Sequence, residues 1–305
     1  MPTRKEKLRK VFLQTLRAKK RDRILVLYDS RQKEKIARQF SSALHGFPVS
    51  LLGMRRTGQH GKEPERRAAS AMKQHDVVIA VTTYSLTHTA SVRNARKARV
   101  ASMPGFENRM MHCLLVDYRK LRKTTTRLAK KLEKGSAVEV ITPSGTDLQF
   151  SIKGCRVTPS YGIAEKDHVV NLPDGEVFLP PKKMNGVLVF DSYGSAIRKP
   201  TRLIVKNNRI AEFQKNWNGN YMKKILGKKN DRFVAEFGIG TNGAAKLIGN
   251  VLEDEKVLGT CHIAFGNNLG FGGSNASNVH IDVILNKPTI WIDGKAIMKK
   301  GEPLW

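Results

Sequence analysis

The first part of the chain alternates short apolar runs with longer polar stretches of helical spacing, such as residues 32–44. The apolar runs are Ile24–Tyr28, Pro48–Leu52, Val77–Val81 and Val100–Met103. Strands that alternate with helices are joined by crossover connections, which favour a parallel sheet. We therefore expect an N-terminal α/β domain with a mainly parallel sheet.

The pattern changes after a basic helix predicted over residues 119–134, which Gly135 closes as a C-cap. Beyond it, short β-branched segments separated by turns are typical of successive hairpins. The last hairpin is centred on Asp293-Gly294, a dipeptide favoured in two-residue turns. We expect one helix near residues 243–252. The sequence thus predicts a basic α/β domain over 1–134 and a β-rich (α+β) domain over 135–305.

Charge is distributed unevenly along the 305 residues, whose length suits about two domains. The chain has 55 Lys and Arg against 26 Asp and Glu, a net charge of +29, and residues 1–134 hold 33 of the basic and 10 of the acidic side chains. This excess predicts weak binding of polyanions, including nucleic acid, by the first domain. Phe12 is the only aromatic side chain before Tyr28, so stacking on single strands is not favoured. A solvated helix face explains the same residues equally well.

No apolar run approaches the roughly 20 residues that span a bilayer. The N-terminal segment also lacks the apolar stretch of a signal peptide. We therefore expect a cytoplasmic protein without membrane association.

One segment with candidate chemistry is Val279–Ile284, where apolar and polar residues alternate. On a strand this period places His280 and Asp282 on the same face. An imidazole and a carboxylate so placed can bind one metal ion, although such a pair alone is more often a salt bridge.

Three further polar residues interrupt apolar β-segments of the same domain: Glu176, Glu236 and His262. A carboxylate is costly to bury in an apolar strand unless it is paired. A divalent metal ion is the simplest common partner for two histidines and three carboxylates. We predict a metal site whose ligands are Glu176, Glu236, His262, His280 and Asp282.

The segments NLPDGEVFLPP, EFGIGTN, LEDEKVLGTCHIAFG and SNVHID, in this order, resemble the aminopeptidase T (thermophilic leucyl aminopeptidase) family of dinuclear metallopeptidases. The resemblance covers much of the second domain and extends more loosely to TTYSLTHT and SMPG in the first. It implies that the five predicted ligands bind one or two divalent ions, Zn, Co or Mn, and that the protein is a homodimer. It also implies removal of N-terminal residues from short peptides by metal-activated water, which is our main functional prediction.

The chain departs from this family at one position and in one spacing. The family's tyrosine seven residues after the first histidine is Leu269 here, and 17 residues separate His262 from His280. The superfamily is similar to a ring-opening dihydroxypyridine dioxygenase, whose single ferrous ion is bound by two histidines and an aspartate. His262, His280 and Asp282 would form that triad. A mononuclear Fe(II) dioxygenase is thus the alternative, and a non-catalytic polyanion-binding relative is a third hypothesis.

Several other residues are candidates for the same site. Glu255 is the candidate general base, although its acidic cluster also fits a solvated loop. Gly272 and Gly273 belong to a glycine-rich loop that could cap a substrate or simply form a permissive turn. Arg93 could bind a substrate carboxylate, with a solvated helix face as the default. The GxGxxG spacing of Gly238–Gly243 lies in the antiparallel half, so we interpret it as a turn that positions Glu236 rather than as a dinucleotide site.

Overall fold

The structure is a computed structural model that describes residues 2–165 and 168–305. It divides into two compact units. The described residues up to Arg119 form the first unit together with those from Tyr161 to Asp174, and Lys120–Ser160 with Gly175–Trp305 form the second. Most of the helix predicted at the end of the first domain therefore belongs to the second unit.

Most helices lie in the first half of the chain, and those in the second half are short. They are α1 Arg4–Thr15, α2 Arg31–Ala43, α3 Arg66–Gln74, α4 Ala90–Asn94, α5 Met111–Leu114, α6 Tyr118–Glu133, α7 Trp217–Ile225 and α8 Val251–Asp254. Short 3-10 turns occur at Asn108–Met110, Lys229–Arg232 and Leu269–Phe271.

Strands make up most of the second unit. The strands are β1 Ile24–Tyr28, β2 Val49–Gly53, β3 Val77–Val81, β4 Arg99–Ser102, β5 Ala137–Ile141, β6 Asp147–Ser151, β7 Thr158–Ser160, β8 Val169–Asn171, β9 Glu176–Leu179, β10 Lys182–Phe190, β11 Thr201–Lys206, β12 Arg209–Phe213, β13 Val234–Gly240, β14 Thr260–Gly266, β15 His280–Asn286, β16 Thr289–Ile292, β17 Lys295–Lys299 and β18 Glu302–Pro303.

The first unit contains the predicted parallel sheet. Its strand order is β2-β1-β3-β4-β8, and every neighbouring pair is parallel. Helix α2 starts where the Ser30 side chain accepts a hydrogen bond from the Lys33 amide, an N-cap that satisfies one free helix donor. Strand β8 was not predicted, because it comes from the segment that returns to this unit after Ser160.

The second unit contains two antiparallel sheets. The eight-stranded sheet has the order β12-β11-β10-β6-β5-β16-β17-β18, and the five-stranded sheet has the order β15-β14-β13-β9-β7. Buried apolar residues of both sheets belong to one core. Within it the rings of Phe150 on β6 and Phe237 on β13 meet edge to face, with centroids 4.9 Å apart. The predicted α/β fold class, with a β-rich second part, is confirmed.

Two predicted local features had different outcomes. The Asp293-Gly294 hairpin is present, and both residues have the positive φ that the turn requires. The helix predicted near 243–252 is wrong, since α8 covers only Val251–Asp254. Glu253 and Asp254 are buried, and their carboxylates accept hydrogen bonds from the Lys246 and Ile248 amides, each at 2.8 Å. These side chains supply the backbone partners that a helix would otherwise provide.

Among the residues that the structure describes, no helix is long and apolar enough to cross a bilayer.

Candidate metal centre

The predicted ligands lie on one face of the five-stranded antiparallel sheet of the second unit. The antiparallel register aligns Glu236 of β13 with Ala264 of β14, and Ala264 with Asp282 of β15. The neighbouring rows pair Gly238 with His262 and Gly266 with His280. Residues two apart on a strand share a face, so charged ligands alternate here with glycine and alanine.

Small residues at these positions make room for the ligands. A Cβ atom at Gly238 would lie 2.1 Å from Nε2 of His262, well inside any possible contact. The His262 ring therefore lies directly over the backbone of β13. Gly238 and Gly240 are both inside this strand, so the predicted turn at Gly238–Gly243 is wrong for its first glycines.

Glu236 lies between the two imidazoles. Its Oε1 is 3.2 Å from Nε2 of His262, and its Oε2 is 3.5 Å from Nε2 of His280. Asp282 Oδ1 lies 3.4 Å from Nε2 of His280. Glu176, on β9, places Oε2 3.5 Å from Nε2 of His262.

All five predicted ligands thus fall into one cluster, which contains two three-ligand groups. In each group the ligand atoms lie within 4.8 Å of one another: Glu176, Glu236 and His262 form one, and Glu236, His280 and Asp282 form the other. Glu236 belongs to both. Over the described residues, neither of these two groups contains both histidines.

His280 is held in the orientation expected of a metal ligand. Its Nδ1 lies 2.8 Å from the Asn267 carbonyl oxygen, to which a protonated Nδ1 donates. This bond leaves Nε2 facing Glu236 and Asp282. Histidines that bind metals commonly donate the other ring N–H to a carbonyl or carboxylate in this way.

The buried charges shift one another's protonation equilibria. Burial opposes ionisation of His262, but the hydrogen bond and charge of Glu236 and the charge of Glu176 outweigh it and raise its pKa to about 9. Burial likewise opposes ionisation of Asp282, yet His280 dominates and lowers the pKa of Asp282 to about 2. Burial raises the pKa of Glu176 to about 7, against the opposing charge of Lys256.

The cluster therefore suits a divalent metal ion. Imidazole nitrogen and carboxylate oxygen are its ordinary ligands in proteins. Glu176 Oε2 is buried without a hydrogen-bond partner, although the other oxygen of this carboxylate contacts the Lys256 ammonium, so Oε2 is available to a further cation. The carboxylates also raise the pKa values of both histidines, because protons on the imidazoles supply positive charge next to the carboxylates.

Lys256 also belongs to this cluster, and sequence reasoning missed it. Its Nζ lies 2.6 Å from Glu176 Oε1 and 2.5 Å from Glu255 Oε1, and its side chain is 1% exposed. Lysine is almost never fully buried unless it is paired. No local pattern distinguishes it among the 55 basic residues of this chain. Glu255, with its side chain 13% exposed, therefore lies beside the cluster rather than in a solvated loop.

The predicted glycine-rich loop lies beside His280. The Phe271 ring meets the rings of His280 and Phe178 edge to face, with centroids 5.9 and 5.3 Å apart. Gly272 has a φ of +98°, and a Cβ atom at Gly273 would lie 2.0 Å from Cγ of Asn268. Both positions thus require glycine, while their role in substrate binding stays a prediction.

Arg93 and Leu269 complete the set of predicted positions. Arg93 is an exposed residue on α4 of the first unit, where its guanidinium donates to the His88 carbonyl. Its role toward a substrate stays a prediction. Leu269, at the position of the family tyrosine, is 55% exposed.

The fold and the cluster define a two-unit protein with a candidate metal centre on an antiparallel sheet. The family model for 2,5-dihydroxypyridine 5,6-dioxygenase (NicX) matches residues 7–304, so the chain belongs to this family.

Solved structures agree with this fold. The 2,5-dihydroxypyridine dioxygenase of Pseudomonas putida KT2440 is similar over 99% of this chain and 98% of its own, with 16% identity and a TM-score of 0.78. AmpT of Thermus thermophilus is similar over 99% of both chains, with 13% identity and a TM-score of 0.71. At these identities the likeness is one of fold. A search of curated protein sequences gives no match.

The predicted aminopeptidase assignment, a hydrolase, is therefore wrong, because the family match is to a dioxygenase. The expected likeness to both kinds of enzyme holds at the level of the fold, since the solved dioxygenase and AmpT structures are both similar to this chain. The position that departed from the peptidase pattern, Leu269, was the better guide.

Proposed function

We propose that this protein is a metal-dependent dioxygenase that opens a hydroxylated aromatic ring. The observation that carries the proposal is the family match over residues 7–304. The buried cluster of imidazoles and carboxylates supports it, because such a donor set suits a non-haem iron centre. A dihydroxypyridine is the first substrate to test.

In this proposal Glu236, His280 and Asp282, whose ligand atoms lie within 4.8 Å of one another, would hold one ferrous ion, and His262 would approach it from the other side of Glu236. When bound, that ion would supply the one-electron redox chemistry that a reaction with dioxygen requires. The reaction breaks one ring C–C bond and places both atoms of O₂ in the product, so it needs no external reductant.

The groups around the ligands have separate roles. The Asn267 carbonyl fixes the His280 ring, and Gly238 leaves the space that the His262 ring fills. Glu176 is the best-placed group to accept a proton from a ring hydroxyl, because its Oε2 has no hydrogen-bond partner and burial raises its pKa to about 7. Glu255, the predicted general base, contacts the Lys256 ammonium and would act through it.

An aromatic ring would find an apolar surface beside His280. Phe271 and Phe178 lie edge to face there, and such ring edges pack well against another planar ring.

The test is oxygen uptake by untagged protein reconstituted anaerobically with ferrous iron. With 2,5-dihydroxypyridine we expect one O₂ consumed per ring opened, and both atoms of ¹⁸O₂ in the product by mass spectrometry. Zinc-loaded protein and the His280→Ala variant serve as controls and should consume no oxygen. Iron-loaded protein that binds its metal yet consumes no oxygen with hydroxylated pyridines or benzenes would contradict the proposal.

A further inference from the structure

Two buried asparagines close the loop beside His280. The loop residues 269–274 lie between Asn268 and Asn275, and both asparagine side chains are buried. The Asn268 amide N–H donates to the Asn275 carbonyl at 3.1 Å, and the Asn275 amide N–H donates to Oδ1 of Asn268 at 2.8 Å. These reciprocal hydrogen bonds join the two ends of the loop.

The side-chain amides of the same pair tie the closed loop to the sheet that carries the site. Nδ2 of Asn268 donates to the Ala235 carbonyl of β13 at 3.2 Å. Nδ2 of Asn275 donates to the Asn230 carbonyl at 2.8 Å and to the Gly266 carbonyl of β14 at 2.7 Å. Both N–H groups of the Asn275 amide are thus satisfied, as buried donors require.

The orientation of His280 depends on this arrangement. The Asn267 carbonyl that binds Nδ1 of His280 and the Asn268 N–H belong to one planar peptide unit, in which they point in opposite directions. Asn275 and His280 therefore hold this unit from its two ends. Gly266, to which the Asn275 side chain donates, is paired with His280 across β14 and β15. Asn275 is thus connected to His280 both through this peptide and through the neighbouring strand.

Gly273 shows how closely the loop packs on the asparagine pair. A Cβ atom there would lie 2.0 Å from Cγ and 2.1 Å from Oδ1 of Asn268, so any larger residue would displace the Asn268 amide. The Gly273 N–H also donates to the Asn268 carbonyl at 3.0 Å. The loop held in this way carries Phe271, whose ring meets that of His280 edge to face.

We infer that Asn275 is a positioning residue of the metal centre: together with Asn268 it fixes the peptide that orients His280 and the loop that presents Phe271. Asn275 acts through these groups rather than by contact with metal or substrate. A ligand that is already held in its binding orientation loses less freedom when the metal binds, which strengthens binding. The inference rests on the proposed function in one respect, namely that His280 is a metal ligand.

The test is titration of metal-free Asn275→Asp with Co²⁺, followed by the visible absorption of the bound ion. The substitution keeps the shape of the side chain but places a carboxylate oxygen against the Gly266 and Asn230 carbonyls, which it cannot serve as a donor. We expect Co²⁺ affinity to fall about tenfold, the lower end of the effect of groups around metal ligands. The absorption bands should also shift, because the His280 ring is no longer held in one orientation.

Asn208→Asp is the matched control. Asn208 is likewise buried in the second unit, and its Nδ2 likewise donates to a backbone carbonyl, that of Pro181. Both variants should lower the unfolding temperature, but Asn208→Asp should leave the Co²⁺ affinity and absorption bands as they are in the unaltered protein. Equal changes in the two variants would mean that Asn275 acts only through stability, and would overturn the inference.

Unchanged Co²⁺ affinity and absorption bands in folded Asn275→Asp would also overturn it. If Asn275→Asp does not fold, Gly273→Ala decides, because it displaces the Asn268 amide while Asn275 stays unaltered. It should weaken Co²⁺ binding and shift the same bands, and unchanged binding would overturn the inference. Variants that respond as expected, in a protein that takes up no oxygen when loaded with iron, would contradict only the proposed function. Unaltered protein that binds no Co²⁺ would contradict both.

Discussion

Gly238 and His262 are directly paired across β13 and β14, and the imidazole of one lies over the backbone of the other. A Cβ atom at position 238 would lie 2.1 Å from His262 Nε2 and 2.2 Å from its Cε1. The orientation of His262 toward Glu236 therefore depends on residue 238 being a glycine. A glycine inside a strand, which weakens the strand, is explained here by the site that it accommodates.

The substitution Gly238→Ala should weaken metal binding. The added methyl group displaces the His262 ring. Changes to residues around metal ligands reduce metal affinity about 10–100-fold, and we expect a loss of at least this size. Isothermal titration of metal-free protein with Mn²⁺ measures it. Gly243→Ala is the matched control, because its Cβ would have ordinary contact, 3.7 Å, with Leu258. Equal affinities in the two variants would show that the ring is not constrained by Gly238.

The charge of Asp282 should matter as much as its position. Asp282→Asn keeps the shape of the side chain but removes the charge opposite His280 Nε2. We expect metal affinity to fall by at least about 100-fold while the protein remains folded. The control is Asp147→Asn, an exposed position on β6, which should leave affinity unchanged. Competition with a coloured chelator gives both values, and equal affinity in Asp282→Asn and the unaltered protein would exclude Asp282 as a ligand.

The sequence was sufficient to predict which candidate ligands lie close together, but not which side chains surround them. Alternation along Val279–Ile284 predicted that His280 and Asp282 share a face, and their 3.4 Å contact agrees. A sequence shows directly which polar residues interrupt apolar strands. Because burial makes such residues costly, they indicate a site. Lys256 is not visible in this way, because its burial depends on the pairing of strands distant in the chain. The helix predicted near 243–252 was wrong for a local reason, since the buried carboxylates of Glu253 and Asp254 accept hydrogen bonds from backbone amides there.

The metal-free protein should lose stability as the pH rises from about 6 to 9. Carboxylates raise the pKa of His262 to about 9, above its unfolded value of about 6.5, so its protonated form favours the folded state. That stabilisation is complete below the unfolded pKa and is lost as the pH passes the folded one. Glu176 acts in the same direction, because a folded pKa of about 7 makes its ionisation unfavourable to folding.

Thermal unfolding with a chelator present, followed from pH 6 to 9, measures this dependence. Bound metal requires neutral histidines and ionised carboxylates, so the loaded protein should not show the decline. His262→Gln should flatten the curve of the metal-free protein. A melting temperature that rises with pH in the metal-free, unaltered protein would contradict the assignment of these charges.

The first unit should bind nucleic acid weakly and in a strongly salt-dependent way. Arg4, Lys5, Lys7 and Lys10 are exposed on α1, and their contacts with phosphates release counterions. We expect dissociation constants of about 10⁻⁴–10⁻⁶ M for duplex DNA at physiological salt. Changing Lys5, Lys7 and Lys10 to Gln should reduce the slope of log affinity against log salt. The same change at three exposed lysines of the second unit, Lys153, Lys206 and Lys295, is the control and should reduce it less.

Phe271 should determine how well an aromatic substrate binds, because its ring stands against both His280 and Phe178. Phe271→Ala removes this surface and leaves every predicted ligand residue unchanged. We expect KM to rise by about tenfold, since edge-to-face ring contacts contribute roughly 0.5–1.5 kcal/mol beyond the area they bury. Metal content should stay unchanged. Leu269→Ala, in the same loop but 55% exposed, should leave KM as it is. Steady-state oxygen uptake against substrate concentration separates the two variants. A fall in kcat with an unchanged KM in Phe271→Ala would place the ring's role in holding His280 rather than in binding substrate.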